Sequence, residues 1–310
     1  PCKNKGEDDR LYRAVEACST FAINLGINIP TGKDSLSMTQ KYDEMDVLCP
    51  GTVIISAAGN CPDINKIITP VLNENGGDLY YIDMSNDNFY LGGSAFAQVH
   101  KSVGKKAPTI KNHLYFKKAF NIIQKLIIGN KISSGHDVGS GGLITTLMEM
   151  CFPSLNIGMH LDLDDLEEKD TSKIFFSEKI ALVIQSKFNI DSILKKEKLQ
   201  CVRIGSVVKK PILKVKNHSE LLELQISKYR KKWMDISSKM EQFQTKKELA
   251  KIRAENVVKQ PLKFKFPSKF SGFYPKKKNY TVNAAVLREK GSNSEREMAY
   301  IMDMCGFKVR

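Results

Sequence analysis

Nine residues, SGHDVGSGG from Ser134 to Gly142, constrain this chain more than any other stretch. Four glycines, a histidine and an aspartate stand between an apolar run, LIIGNKI, and a helix-like one, LITTLMEMCF. A strand, a glycine turn and a helix in that order bring backbone N–H groups and the positive end of a helix to one point, which favours phosphate. Glycine lets the backbone approach an anion closely, because no Cβ intervenes. An aspartate at the mouth, Asp137, suits a Mg2+ bridging those phosphates through hard oxygen ligation. A tight structural turn, with His136 and Asp137 as a local pair, accounts for the same residues, and from this stretch alone both readings stand.

The flanking patterns set the fold class. GDLYYIDM, IGMHLDL, KIALVIQ, QCVRIGSVV and PILKVK have the β-branched and apolar make-up of strands, as does GTVIISAAG at 51–59. EDDRLYRAVEACSTFAINLG carries Leu11, Val15, Cys18 and Ala22 at helical spacing and stops at Gly26. HLYFKKAFNIIQKLIIG predicts an amphipathic helix with Phe116, Phe120, Ile123 and Ile127 inward and Lys118 and Lys125 opposite. Leu143, Leu147 and Cys151 share a face of the helix after the glycine loop, with Thr145 and Glu149 on the other. A short helix is expected near 190–198, a helical lysine-rich stretch over 218–260 and a Lys-Phe-Pro linker over 261–275. A strand at YTVNAAVLRE and a helix capped by Ser292 or Asn293 and ended by Gly306 close the chain. Strands alternating with helices predict an α/β or α+β sandwich.

Composition narrows the partners. The net charge is +14, yet 207–280 holds 20 Lys and Arg against 6 Asp and Glu, so the rest of the chain is balanced. Lysine outnumbers arginine 40 to 8 and the chain has one tryptophan, whereas base and phosphate recognition leans on arginine's fork and on aromatic stacking. A solvated lysine face is therefore preferred over a nucleic-acid surface, and no specific nucleic acid is expected. No run of about 18 apolar residues exists, so no membrane span is expected. Seven scattered cysteines without a C-x-x-C pair fit a reducing compartment, with most thiols as small buried hydrophobes and a cytoplasmic location.

Several stretches share one resemblance. GEDDRLYRAV is similar to G-E-D-x-x-L-Y-x-A-V, and GINIPTGKDSLSM to I-P-x-G-K-D-S-M-S-M. LGGSAFAQVH is similar to L-G-G-S-A-L-A-Q-V-Y, HDVGSGGL to H-D-x-S-D-G-G-L, and FFSEKIALVIQ to L-F-x-E-E-x-x-A-V-I-Q. AVLREKGSNSEREMA is similar to A-V-L-R-E-x-G-x-N-x-x-x-E-M-A. In that order, from Gly6 to Val309, these stretches resemble the phosphoribosylformylglycinamidine synthase family. The resemblance implies an aminoimidazole-ribotide-synthetase-like (PurM-like) fold with a mixed sheet and packed helices. It divides the chain into the C-terminal part of an ATP-binding PurM-like N-terminal domain (1–72) and a PurM-like C-terminal domain (73–216). A basic helical segment and linker (217–279) and the beginning of a class I glutamine amidotransferase domain (280–310) follow. With Pro1 first and Arg310 inside a helix–strand pattern, the chain is expected to be an internal segment of a large single-chain enzyme.

The implied reaction is the ATP-dependent conversion of formylglycinamide ribotide to the amidine with glutamine-derived ammonia, using Mg2+ and ATP/ADP. Asp137 then falls at the family's Mg2+-ligating aspartate, and Gly139, Gly141 and Gly142 at the nucleotide loop. Gly139 stands where the family has serine and Ser140 where it has aspartate, so only a backbone contact remains at 139 and the loop loses a negative charge at 140. Lys33, Asp34 and Ser35 form a second polar cluster, candidate phosphate or substrate contacts. Glu178 reads as a packing-edge carboxylate and His136 as a loop-ordering residue. Cys305 is not the glutaminase nucleophile, no complete active site is present, and the segment alone is expected to be inactive. Two alternatives stay open: a non-catalytic scaffold of the same fold, as in viral tegument proteins resembling this enzyme, and, third, a basic nucleic-acid binder.

Overall fold

Alternation along one strand organises the main body of the molecule. In β3 (Asp78–Asp83), Leu79 and Tyr81 point to one side of a sheet, and Tyr80 and Ile82 to the other. Successive side chains of a strand face opposite ways, so a strand buried on both faces needs a helical layer on each. The structure, a computed structural model, describes residues 2, 4–33, 35, 38–256, 267–268 and 282–310. It divides into two units, Pro1–Val258 and Lys259–Arg310.

The first unit opens with helix α1 (Glu7–Leu25), a small antiparallel pair of β1 (Thr39–Lys41) and β2 (Asp46–Leu48), and then β3. Next come α2 (Ala95–Val99), α3 (His113–Ile128), β4 (Ser134–Asp137), α4 (Gly142–Cys151) and β5 (Gly158–Asp162). α5 (Thr171–Phe176), β6 (Ala181–Ser186), α6 (Asp191–Lys196), β7 (Cys201–Val208) and β8 (Ile212–Asn217) follow. β9 (Glu220–Gln225), α7 (Ile226–Glu241) and α8 (Lys247–Asn256) end the unit. The seven-stranded sheet has the order β4-β6-β3-β7-β5-β8-β9, with β5 and β8 parallel and the other neighbours antiparallel. This is the mixed sheet with packed helices that the PurM-like resemblance implies. In the second unit, β10 (Val282–Ala284) and β11 (Phe307–Val309) pair in parallel across α9 (Glu295–Met304).

One face of the large sheet packs Leu79, Tyr81 and Ile204 against Leu143 and Leu147 of α4 and Ile174 of α5. The other packs Tyr80 and Ile82 against Ala119, Ile123 and Leu126 of α3 and Leu194 of α6. Each fully buried leucine contributes about 1.5–3 kcal/mol by leaving water. α3 starts where Asn112 accepts from the Leu114 and Tyr115 N–H groups, relieving two unpaired donors.

Several expectations are corrected. Residues 51–59 form no strand: among the described residues none pairs with them, and Ile54 is 84 % exposed. A strand persists only where a neighbour completes its hydrogen bonds. Residues 220–225 are the strand β9 rather than helix, joined to β8 through a two-residue turn in which His218 has φ 51°. Phe120 is half-exposed, because the inward stripe of α3 centres on Ala119, Ile123 and Leu126. Of the seven cysteines only Cys151 and Cys201 are buried, and burial pushes both thiols up to about 12. The cap of α9 is Ser294, and the expected linker at 261–275 lies, apart from Pro267 and Ser268, outside the described residues. No helix of the described residues is long and apolar enough to cross a membrane.

Candidate functional site

The glycine loop joins the C-terminal end of the edge strand β4 to the N-terminus of α4. Ladder pairing carries β4 along β6 as far as Asp137 opposite Leu182, and the Val138 N–H donates to Ala181 O at 2.9 Å. The chain then turns through a Gly142 N–H to Gly139 O bond of 3.0 Å. Gly141 (φ 87°) and Gly142 (φ 74°) are both left-handed, a region that costs other residues about 1–2 kcal/mol. Neither site has room for a Cβ: at Gly141 it would lie 2.4 Å from Thr145 Oγ1, and at Gly142 2.4 Å from Phe175 O. Gly139 differs, since nothing lies within 4 Å of its Cβ position and its backbone stands open. Both Gly139 and Ser140 are exposed.

Asp137 sits at the mouth with its side chain 78 % exposed. His136 lies behind it, Nδ1 3.2 Å from Asp137 Oδ1 and Nε2 3.0 Å from Glu149 Oε2 on α4. The other oxygen of Glu149 accepts from Trp233 Nε1 on α7 at 3.0 Å, and the Trp233 ring lies 5.7 Å from that of Phe152. Arg230, also on α7 and buried, donates to Ser154 O. Helix α7, in the lysine-rich segment, is thus tied to the back of the loop.

Glu178, just before β6, has a larger part than its sequence context indicates. Its Oε1 accepts from the Gly141 N–H at 2.9 Å and from the Ala95 N–H at 2.8 Å. A carboxylate of the chain itself therefore occupies the amides at the start of α4 and α2, where helix dipoles favour negative charge. Of the second cluster, Lys33 Nζ donates to Ser35 Oγ at 2.7 Å, while Asp34 lies outside the described residues.

Among the described residues no group of three or more His, Cys, Asp and Glu side chains could hold a metal. Asp137 offers a single accessible carboxylate. That suits Mg2+, which keeps several waters and takes its other ligands from phosphate oxygens, better than an ion needing an all-protein cage.

Family models match two parts of the chain. Residues 1–60 match the FGAR-AT PurM_N-like domain, and residues 88–217 the C-terminal domain of AIR synthase related proteins. A probable phosphoribosylformylglycinamidine synthase, chloroplastic/mitochondrial, from Arabidopsis thaliana is 36 % identical over 321 residues, covering 99 % of this chain and 22 % of that protein. The human phosphoribosylformylglycinamidine synthase is 32 % identical over 322 residues, covering 99 % of this chain and 24 % of that one.

The chain is homologous to a segment of the phosphoribosylformylglycinamidine synthases.

It spans about a quarter of the length of these relatives. Among solved structures, Thermotoga maritima PurL complexed with FGAR is similar at 15 % identity and a TM-score of 0.44, over 54 % of this chain and 30 % of that one. Within the synthase stretch that FFSEKIALVIQ resembles, Lys179 stands in place of the second glutamate. That reversal was a sequence signal for a second charged centre, which the structure places beside Asp83.

Proposed function

We propose that this chain is a working part of a phosphoribosylformylglycinamidine synthase acting in the cytoplasm. The whole enzyme converts formylglycinamide ribotide, ATP, glutamine and water to formylglycinamidine ribotide, ADP, phosphate and glutamate. In this reading residues 1–72 and 73–216 belong to PurM-like N- and C-terminal domains, 217–279 connect them onward, and 280–310 open the glutaminase. The glycine loop holds the nucleotide: Asp137 is a Mg2+ ligand, the open backbone at Gly139 meets phosphate, and Gly141 and Gly142 fix the turn. Bound Mg2+ would neutralise charge on the phosphates. His136 and Glu149 hold the Asp137 carboxylate toward the mouth. Lys33, Asp34 and Ser35 contact phosphate or substrate, lysine as a compact point charge.

The observation that carries this reading is the exposed Asp137 carboxylate at the C-terminal end of a strand that a left-handed glycine turn joins to a helix. Homology over nearly the whole chain supports it. The test is calorimetric titration of ADP, with and without Mg2+, into the full-length protein and its Asp137→Asn variant. Asn keeps the shape and loses the charge, so Mg·ADP affinity is expected to fall about tenfold, about 1.4 kcal/mol. Equal affinity in parent and variant would reduce the loop to a turn. A non-catalytic homologue is the second reading, favoured by Gly139 and Ser140 and by the hold of Glu178 on the Gly141 amide; it predicts no Mg·ADP binding by the parent.

A further inference from the structure

The backbone and the carboxylate of Asp137 are held by different groups. Its C=O accepts from the Thr146 hydroxyl of α4 at 3.1 Å, which leaves the direction of the side chain open. Among the described residues His136 is the one group that the Asp137 carboxylate meets, with Nδ1 3.2 Å from Oδ1. The imidazole is aimed in turn by what stands at its other nitrogen, Glu149 Oε2 at 3.0 Å. A glutamate side chain is flexible, so one contact at one oxygen leaves its direction loose.

Trp233 supplies the second contact. Indole Nε1–H can only donate, and it donates to Glu149 Oε1 at 3.0 Å. The two oxygens of one carboxylate are thereby pinned in different directions, one from α7 and one from β4. The seating of the indole follows from the pattern of α7. Ile226 and Arg230 are buried, Tyr229 packs on the core, and Trp233 continues that stripe at helical spacing. Its ring lies 5.7 Å from that of Phe152, which stands three residues after Glu149 at the end of α4 and so on the same side. Arg230 secures the same seat by donating to Ser154 O.

We propose that Trp233 is a positioning residue for the nucleotide site. Through Glu149 and His136 it sets the direction of the Asp137 carboxylate, and so ties metal binding to the seating of α7 on α4. This rests on the reading of Asp137 as a Mg2+ ligand. Removing a group that directly orients a metal ligand typically costs about 10–100-fold in affinity. Trp233 is half exposed and acts two side chains further back, so its share should be smaller.

The test is calorimetric titration of ADP, with and without Mg2+, into the full-length protein and its variants. Trp233→Phe keeps a ring against Phe152 and removes the N–H. It should weaken Mg·ADP about two- to fivefold and leave metal-free ADP unchanged, because the row of contacts ends at the metal ligand. Asp137→Asn should weaken Mg·ADP further, and Trp233→Phe added to it should cost nothing more, since the carboxylate it steers is gone. Ile236→Ala, three residues along α7 and 73 % exposed, should bind like the parent. Full Mg·ADP affinity in Trp233→Phe beside a weakened Asp137→Asn would overturn the positioning role and leave the metal site standing. An equal loss with and without Mg2+, a loss that persists in the Asp137→Asn background, or the same loss in Ile236→Ala would overturn it as well. Parent-like Mg·ADP binding by Asp137→Asn would bring down the metal reading itself, and the positioning role with it.

Discussion

Glu178 Oε1 accepts from both the Gly141 and the Ala95 N–H groups, so an internal carboxylate meets two helix starts that a phosphate would otherwise meet. A negative side chain at a helix N-terminus stabilises by about 0.3–1 kcal/mol and repels a second anion by a comparable amount. Glu178→Gln keeps an oxygen for both amides and removes the charge. Its folding stability should fall by about 0.3–1 kcal/mol, while Mg·ADP affinity should rise about two- to fivefold. Melting curves and calorimetry on the same preparation read the two effects separately; unchanged affinity would mean that phosphate stays clear of Gly141. Asp137 was legible in the sequence because glycines and an aspartate crowd into nine adjacent residues. Glu178 was not, because its partners lie 37 and 83 residues away and only sheet pairing brings them together.

At the scale of elements, the parallel pair β5–β8 carries a charge cluster that tests how the sheet is held. Lys216 Nζ on β8 lies 3.0 Å from Asp162 Oδ2 and 2.6 Å from Asp164 Oδ2 at the end of β5. The Lys216 hydrogen bond, and then the His218 N–H, hold the Asp164 carboxyl below the usual carboxylate range, and Asp164 and then Asp162 raise Lys216. A depressed carboxyl adds stability above its unfolded value of about 3.9 and loses it as pH falls through the folded value. A raised lysine adds stability below its unfolded value of about 10.4 and loses it as pH rises through the folded one. Lys216→Met should therefore melt below the parent at pH 7, and the gap should shrink toward pH 3 as Asp164 takes up its proton. A gap independent of pH would assign the loss to packing instead. The strands of this sheet were legible from short β-branched runs, except β4, whose Ser-Gly-His-Asp reads as the start of the glycine loop, and β9. There Leu221, Leu222, Leu224 and Ile226 fit both a period of two and a helical spacing, and the Asn-His-Ser turn lacks the glycine that marks a hairpin. Residues 51–59 failed the opposite way: β propensity was present, but a ladder partner cannot be read from one segment.

Across the molecule, burial is uneven. Both buried clusters surround the seven-stranded sheet, whereas α1 contributes no buried residue and Ile54, Ile55, Ile64 and Ile67 are 84, 64, 74 and 58 % exposed. Large apolar side chains left this exposed fit a surface that another part of a longer protein covers. Within the proposed function it is the face that residues 1–72 turn toward other parts of the synthase. Changing Ile54 and Ile55 together to serine removes apolar surface that holds nothing in the sheet unit. Such exposed substitutions change stability by about 0.5 kcal/mol or less, so the main melting transition should stay where it is. Binding of a hydrophobic dye to the native chain should fall, because the dye reports accessible apolar surface. In the full-length protein the same pair of changes should instead lower the melting temperature by several degrees, since there the two side chains would be covered. Melting curves of both proteins, with and without the two serines, decide the matter: an unchanged transition in the full-length protein would leave this face exposed there too, and the packing role assigned to residues 1–72 would fall.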